Sequence, residues 1–195
     1  MAKQFPAFED DHRRFIAEQP IFFVATAAAD TRINLSPKGM DSLRVLGPNR
    51  LAWLNLTGSG NETAAHLAED SRMTVMWCSF GKRPLILRAY GTAGLTHRGA
   101  PGWEGLYAHF PTIPGARQVV EMAVELVQTS CGYAVPLMTL DAPRETLRVW
   151  AEKQDPDGQD PDGLVDYWAY KNRVSIDGRP TGIEAAIEAV LKPVP

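Results

Sequence analysis

The sequence predicts an α+β chain, mainly β with peripheral helices, whose short strands close into a barrel or a sandwich. Three observations carry that prediction. Between residues 21 and 95, runs rich in aromatic and β-branched residues alternate with turn signals. Helical apolar spacing is confined to the N-terminus, one short insert and the second half of the chain. With 195 residues, 45% hydrophobic and 22% charged, the composition suits one sizeable core. We therefore expect one domain over 1–195, with a barrel core at about 20–140 and a helical C-terminal extension at about 141–195.

Residues Glu9 to Gln19 set Phe15 and Ile16 among charges, an amphipathic helix that Pro20 ends. IFFVATA from Ile21 reads as a strand, and Asp30 with Thr31 turns it into RINLS. After LSPKG come LRVL, a turn at Gly47-Pro48-Asn49, and the strand RLAWLNL, which together read as a meander. The helix AAHLAED precedes two more strands, RMTVMWCSF and LILRAYGTAGL, separated by the breaker Gly81-Lys82-Arg83-Pro84. From Gly115 to Thr129, the residues Val119, Val120, Ala123, Val124 and Val127 recur at helical spacing and predict a helix with one buried face. CGYAVPLM predicts a short edge strand limited by Pro136. Helices are expected at Glu145–Lys153 and Leu164–Lys171, with the doubled DPDG between them as a turn-rich loop, and at GIEAAIEAVL near the end.

Charge and composition exclude several classes of function. No apolar run approaches the roughly 18 residues that span a bilayer, so no membrane partner is expected. The N-terminus turns acidic at once, unlike a secretory signal. With Cys78 and Cys131 alone there is no disulfide framework, which points to a cytoplasmic protein. A net charge of −3 argues against general binding to nucleic acid. The expected partners are a small-molecule substrate and a second copy of the chain.

Two segments carry candidate chemistry. In LTGSGNETAAHL, Ser59 followed three residues later by Glu62 fits a capping box that satisfies orphan backbone N–H groups. The same turn also suits a phosphate, with glycines that permit close approach, free amides and the hydroxyls of Thr57, Ser59 and Thr63. It is not a Walker loop, because no lysine follows the second glycine. In LSPKG, period two places Asn34, Ser36 and Lys38 on one side of a strand as a polar stripe. Pro37 confines that strand to an edge, and a solvated edge is the default account of the stripe.

Over about Phe22 to Leu95, the succession FFVATA, LSPKG, LAWLNLT, GSGNET, RMTVMW and LRAYGTAG resembles the flavin-binding split barrels typified by pyridoxamine 5'-phosphate oxidase. The resemblance implies a split β-barrel that binds FMN at a homodimer interface and acts as an FMN-dependent oxidoreductase. A deazaflavin or heme is the alternative cofactor, and a non-catalytic flavin- or heme-binding protein the alternative function. By the same resemblance, Ser36, Pro37 and Lys38 lie on the strand facing the flavin and Thr57 ends the next strand. Ser59, Gly60, Asn61, Glu62 and Thr63 form the turn and helix start beneath the phosphate. The oxidases carry an Arg-Lys pair where this chain has Glu62-Thr63. A carboxylate at roughly 4 Å from a phosphate costs about 4 kcal/mol per unit charge at an effective dielectric near 20. Arg88, Arg72 or Lys38 would then supply the compensating charge. The oxidases' C-terminal arginine-histidine motif is also not apparent, so the resemblance points to a branch other than the biosynthetic oxidase.

The remaining candidates have structural readings. His12, His66, His97 and His109 show no metal-ligand spacing. Cys78 lies in an apolar strand as a small hydrophobe, and nothing near Cys131 would activate its thiol. Glu121 and Glu125 read as a solvated face. Trp103, Tyr107 and Phe110 mark an excursion from the barrel that would border a site or a dimer contact.

Overall fold

The computed structural model describes residues 2–154 and 162–191. Strands β1 (Lys3–Phe5), β2 (Phe22–Thr26), β3 (Asn34–Lys38), β4 (Leu43–Gly47), β5 (Arg50–Leu56), β6 (Arg72–Cys78), β7 (Ile86–His97) and β8 (Ala116–Ser130) form one antiparallel sheet in the order β3-β2-β6-β7-β8-β5-β4. Helices α1 (Asp10–Ala17), α2 (Glu62–Leu67) and α3 (Trp103–Tyr107) lie between strands, and α4 (Thr146–Gln154), α5 (Asp162–Lys171) and α6 (Glu184–Leu191) follow the sheet. The expected α+β class holds, with a sheet that coils without closing.

Strand β8 organises the sheet. One edge pairs with β7 at residues 118–130, and the other carries β5 at residues 116–123 and β1 at 127–129. The helix expected over Gly115–Thr129 is this strand. Its valines suit a pleated, packed surface better than a helix, and burial alternates from Val120 through Met122 to Val124 while Ala123 is exposed. The helical count gained its match from the bulge at Glu125, which resets the alternation so that Val127 is also buried. CGYAVPLM forms no strand; Pro136 and exposed side chains at Tyr133, Leu137 and Met138 leave it as a surface segment. Residues 155–161, most of the doubled DPDG, lie outside the described residues, and 162–163 open α5.

Coiling brings β2 and β5 face to face although three strands separate them in the sheet, and Phe22 meets Trp53 edge-on with ring centroids 6.3 Å apart. Phe15, Val24, Leu51, Trp53, Val75, Leu87 and Met122 fill the interior. A second cluster on the outer face joins Ala52, Leu54 and Val119 to Trp103 and Phe110, so the aromatic excursion serves packing, with Trp103 stacked on Tyr107. A third cluster, built on Leu164, Val165, Trp168 and Ile183, belongs to the C-terminal helices.

Gly91 shows how closely β7 and β8 approach at the bulge, since a Cβ there would stand 1.9 Å from the Ala123 carbonyl oxygen. Gly94, three residues on, has nothing within 4 Å of that position. Gly91→Ala should therefore lower stability by about 1–3 kcal/mol in urea unfolding, the usual cost of overpacking. Gly94→Ala should leave the midpoint nearly unchanged.

Candidate functional site

The polar stripe of β3 faces inward. Antiparallel pairing sets Lys38 opposite Phe22, Ser36 opposite Val24 and Asn34 opposite Thr26, so all three share the core-facing side while Leu35 is exposed. β3 is an edge strand, as Pro37 requires. A chain of hydrogen bonds anchors the stripe: the Ser36 hydroxyl donates to Asn34 Oδ1 at 2.8 Å, and Asn34 Nδ2 donates to Thr63 Oγ1 at 3.1 Å and to Thr26 Oγ1 at 3.4 Å. Thr26 Oγ1 lies 3.1 Å from Nδ1 of the fully buried His66, whose Nε2 has no partner among the described residues. His66 and Thr63 thus bind α2 to the β2–β3 hairpin.

Lys38 reaches over the Trp53 ring, its Nζ 4.8 Å from the centroid. Among the described residues its ammonium has neither a hydrogen-bond nor an ion-pair partner. Burial, reinforced by the Arg117 charge and only partly opposed by Glu62, lowers its pKa to about 8. Lys38 is therefore a cation with unmet donors on the inner wall of the sheet.

The β5–α2 turn is tied to the C-terminal helices. Trp168 Nε1 donates to Thr57 Oγ1 at 2.9 Å, and Asn172 Nδ2 donates to the Gly58 carbonyl and to Asn61 Oδ1, each at 2.8 Å. Asn61 Nδ2 returns two bonds, to the carbonyls of Lys171 at 2.8 Å and Val174 at 2.9 Å. The Ser59–Glu62 capping box does not form. Asn61 is the N-cap, and Glu62 accepts instead from the Asn61 N–H at 3.1 Å and from the Ile176 N–H at 3.3 Å. A backbone running past in the C-terminal segment competes for the carboxylate, and no local sequence pattern records it. With Glu62 held by two amides, its charge is partly neutralised.

Arg117, absent from the sequence expectations, completes the site. Its guanidinium is 2% exposed and donates from Nη2 to the Gly60 carbonyl at 2.8 Å and from Nη1 to the Gly58 carbonyl at 3.4 Å. Desolvation lowers its pKa to about 10, with Tyr167 and Glu62 acting in the opposite sense, so it remains charged at neutral pH. The signal for it was a single cation in the run ARQVV, which the helical reading passed over.

Ser36, through Asn34, meets Thr63 beside the 57–62 turn with Arg117 and Glu62, whereas Lys38 stands at the other end of β3, near enough for the charges of Arg117 and Glu62 to act on its amine. Pro37 and Arg88 fall elsewhere: both point to the opposite face, in the row of Phe23 and Met76, and Arg88 donates to Ser130 Oγ at 3.3 Å. Arg72 is engaged by Asp70. Separately, a cleft of about 420 Å³ runs past Thr26, Thr74, Tyr90 and Glu125. Burial pushes the Cys78 thiol up, Cys131 is exposed, and no metal-ligating cluster occurs among the described residues. Among them, too, no helix is long and apolar enough to cross a membrane.

Space at the turn fits a bound group. Neither Gly58 nor Gly60 has positive φ, and a Cβ on either would meet nothing within 4 Å. Backbone strain and packing therefore leave both glycines unexplained, whereas a ligand lying against the chain would use the gap. The six-residue α2 is too short for its dipole to carry the charge balance, which falls to Lys38 and Arg117. Loss of the Asn61 side chain should strand the Lys171 and Val174 carbonyls, so Asn61→Ala should cost about 1–3 kcal/mol in thermal unfolding. Limited proteolysis of that variant should cut the C-terminal segment before the sheet.

The comparisons with known proteins agree with this architecture. A family profile described as pyridoxamine 5'-phosphate oxidase matches residues 8–131, which contain the turn and all of the sheet but β1. The pyridoxamine 5'-phosphate oxidase family protein ustO of Aspergillus flavus is 35% identical over 200 residues, covering 94% of this chain and 78% of that protein. A single-site variant of HupZ from Group A Streptococcus superposes with TM-score 0.52 at 20% identity over 63% of this chain and 98% of its own. A candidate pyridoxamine 5'-phosphate oxidase from Lactobacillus delbrueckii gives TM-score 0.52 at 22% identity over 63% and 94%. At those identities the two structures speak for the fold alone. Given the profile match over residues 8–131 and the 35% identity to ustO across 94% of this chain, it belongs to the pyridoxamine 5'-phosphate oxidase family.

Proposed function

We propose that this protein is a cytoplasmic, homodimeric flavoprotein that holds FMN between the inner stripe of β3 and the β5–α2 turn, and uses it to oxidise or reduce a small molecule. The observation that carries this reading is the unpaired Lys38 ammonium on the inner wall, within electrostatic reach of Arg117 and Glu62, which border the open space at Gly58 and Gly60. Lys38 is half-buried, so its ammonium is partly desolvated without a protein partner, and an anionic ligand group offsets that cost. Family membership supports the same cofactor.

When bound, FMN supplies the redox chemistry, while the protein binds, orients and shields it. Lys38 attracts the anionic end of the cofactor and Ser59 offers a hydroxyl, while Ser36, its proton given to Asn34, fixes the stripe. Thr57, Asn61 and Glu62 act through the wall of the site, because their polar atoms hold the C-terminal helices in place. Thr63, with Asn34, keeps the turn in register with the stripe.

Titration with FMN should quench tryptophan emission saturably at micromolar concentration, and the bound flavin bands should bleach with a nicotinamide donor. Bound flavin that resists every donor would leave a carrier in place of an enzyme, and a Soret band would replace flavin with heme. No saturable binding at all would remove the proposal. Gly60→Val should weaken FMN at least tenfold while changing stability by no more than about 0.5 kcal/mol, because the new side chain enters open space.

The Lys38 amine also sets a pH dependence. Its protonated form attracts the phosphate and a bound dianion raises its pKa, so affinity is full below about pH 8 and falls as the amine deprotonates. Between pH 7 and 9 the loss should be about tenfold, and Lys38→Met should flatten it. In the ligand-free protein the sign reverses, because the unfolded chain keeps a Lys38 proton that the folded chain releases, and stability gains as pH rises above about 8.

A further inference from the structure

Arg117 occupies a break in the ladder. Asn55 pairs with Gln118 and Leu56 with Ala116, so residue 117 has no counterpart on β5. Such a bulge turns the extra side chain out of the strand's alternation, and here it carries a guanidinium beneath the β5–α2 turn. There it donates to the Gly60 carbonyl at 2.8 Å and, at 3.4 Å, to the Gly58 carbonyl, which Asn172 Nδ2 also holds at 2.8 Å, and its Nε has no partner among the described residues.

Peptide planarity gives this grip a consequence. In a trans peptide the carbonyl of one residue and the N–H of the next point in opposite directions. With the Gly58 and Gly60 oxygens drawn inward, the N–H groups of Ser59 and Asn61 turn outward. The Asn61 N–H is taken by Glu62, whereas the Ser59 N–H has no partner among the described residues and stands in an exposed stretch. Around it lie the gaps at Gly58 and Gly60. The charges in range are Lys38, Arg117 and Glu62, one positive in excess, and Glu62 is already engaged by two amides.

We propose that Arg117 is a positioning residue for a phosphomonoester: from beneath the turn it aims the Ser59 amide at the phosphate and offsets the charge of Glu62, so that Lys38 meets the ligand unopposed. This assignment rests on the flavin-binding reading and extends it to a residue that never touches the ligand. It differs from a merely structural role in one respect. A prop for the fold would affect any ligand of the site, whereas a device for aiming an amide at phosphate affects only ligands that carry one.

The test compares FMN with riboflavin, which lacks the phosphate, on the full-length protein. Wild type should bind FMN more tightly than riboflavin. Arg117→Lys keeps the charge and loses the two-carbonyl grip, so it should cut the FMN preference at least tenfold while moving riboflavin affinity less than threefold, with circular dichroism unchanged. A folded variant that keeps the wild-type preference overturns the assignment of Arg117 and leaves the flavin reading intact. Wild type that binds neither flavin overturns both. A measurement on wild type alone covers a variant that does not fold. The Ser59 amide resonance of labelled protein should shift on addition of FMN and stay in place with riboflavin; equal shifts with the two ligands would refute the aimed amide.

Discussion

A guanidinium carried into a protein interior must find acceptors, because it cannot shed its charge at neutral pH. Arg117 finds two of them in the carbonyls of a turn that no strand pairs, and the arrangement of this end of the molecule follows. It fixes the Gly58–Gly60 backbone, and thereby the place where β5 gives way to α2. It also sets a positive charge within reach of Glu62 and Lys38, adding to the burial that lowers the lysine's hold on its proton. Asn172 secures the Gly58 carbonyl from the other side, so the turn is gripped by the sheet and by the C-terminal helices together.

That second grip changes the meaning of several residues. Thr57, Asn61 and Glu62 stand where the sequence predicted a phosphate turn, yet each spends its polar atoms on Trp168, on the 171–174 backbone or on Ile176. What they leave available is backbone. Side chains attach the C-terminal helices, amides and open space face outward, and the charge comes from Lys38. The C-terminal helices are thus part of the site's construction, although the family profile stops at residue 131.

Electrostatics and packing meet at Trp53. It is fully buried between Phe22 and the Lys38 ammonium, so one ring both fills the core and offers its face to a cation. A cation–π contact compensates a desolvated ammonium only in part. Arg88, by contrast, lies on the opposite face and has a serine partner.

Much of this was legible along the chain. Periodicity and turn residues marked β2 to β7, Pro37 marked an edge strand, and period two put Asn34, Ser36 and Lys38 on one face. Those features are set by neighbours within a few residues, which a sequence displays directly. The identity of β8, the fate of Glu62 and the role of Arg117 were decided elsewhere. A run of valines satisfies helical and strand spacing alike until β5 and β7 offer their edges to it. A carboxylate near a helix start caps that helix unless another backbone arrives, and Ile176 is 114 residues away. Local preference and residue type were fixed by the chain alone, whereas the partners of buried polar groups depend on closures between distant segments, and only the assembled sheet and helices supply those.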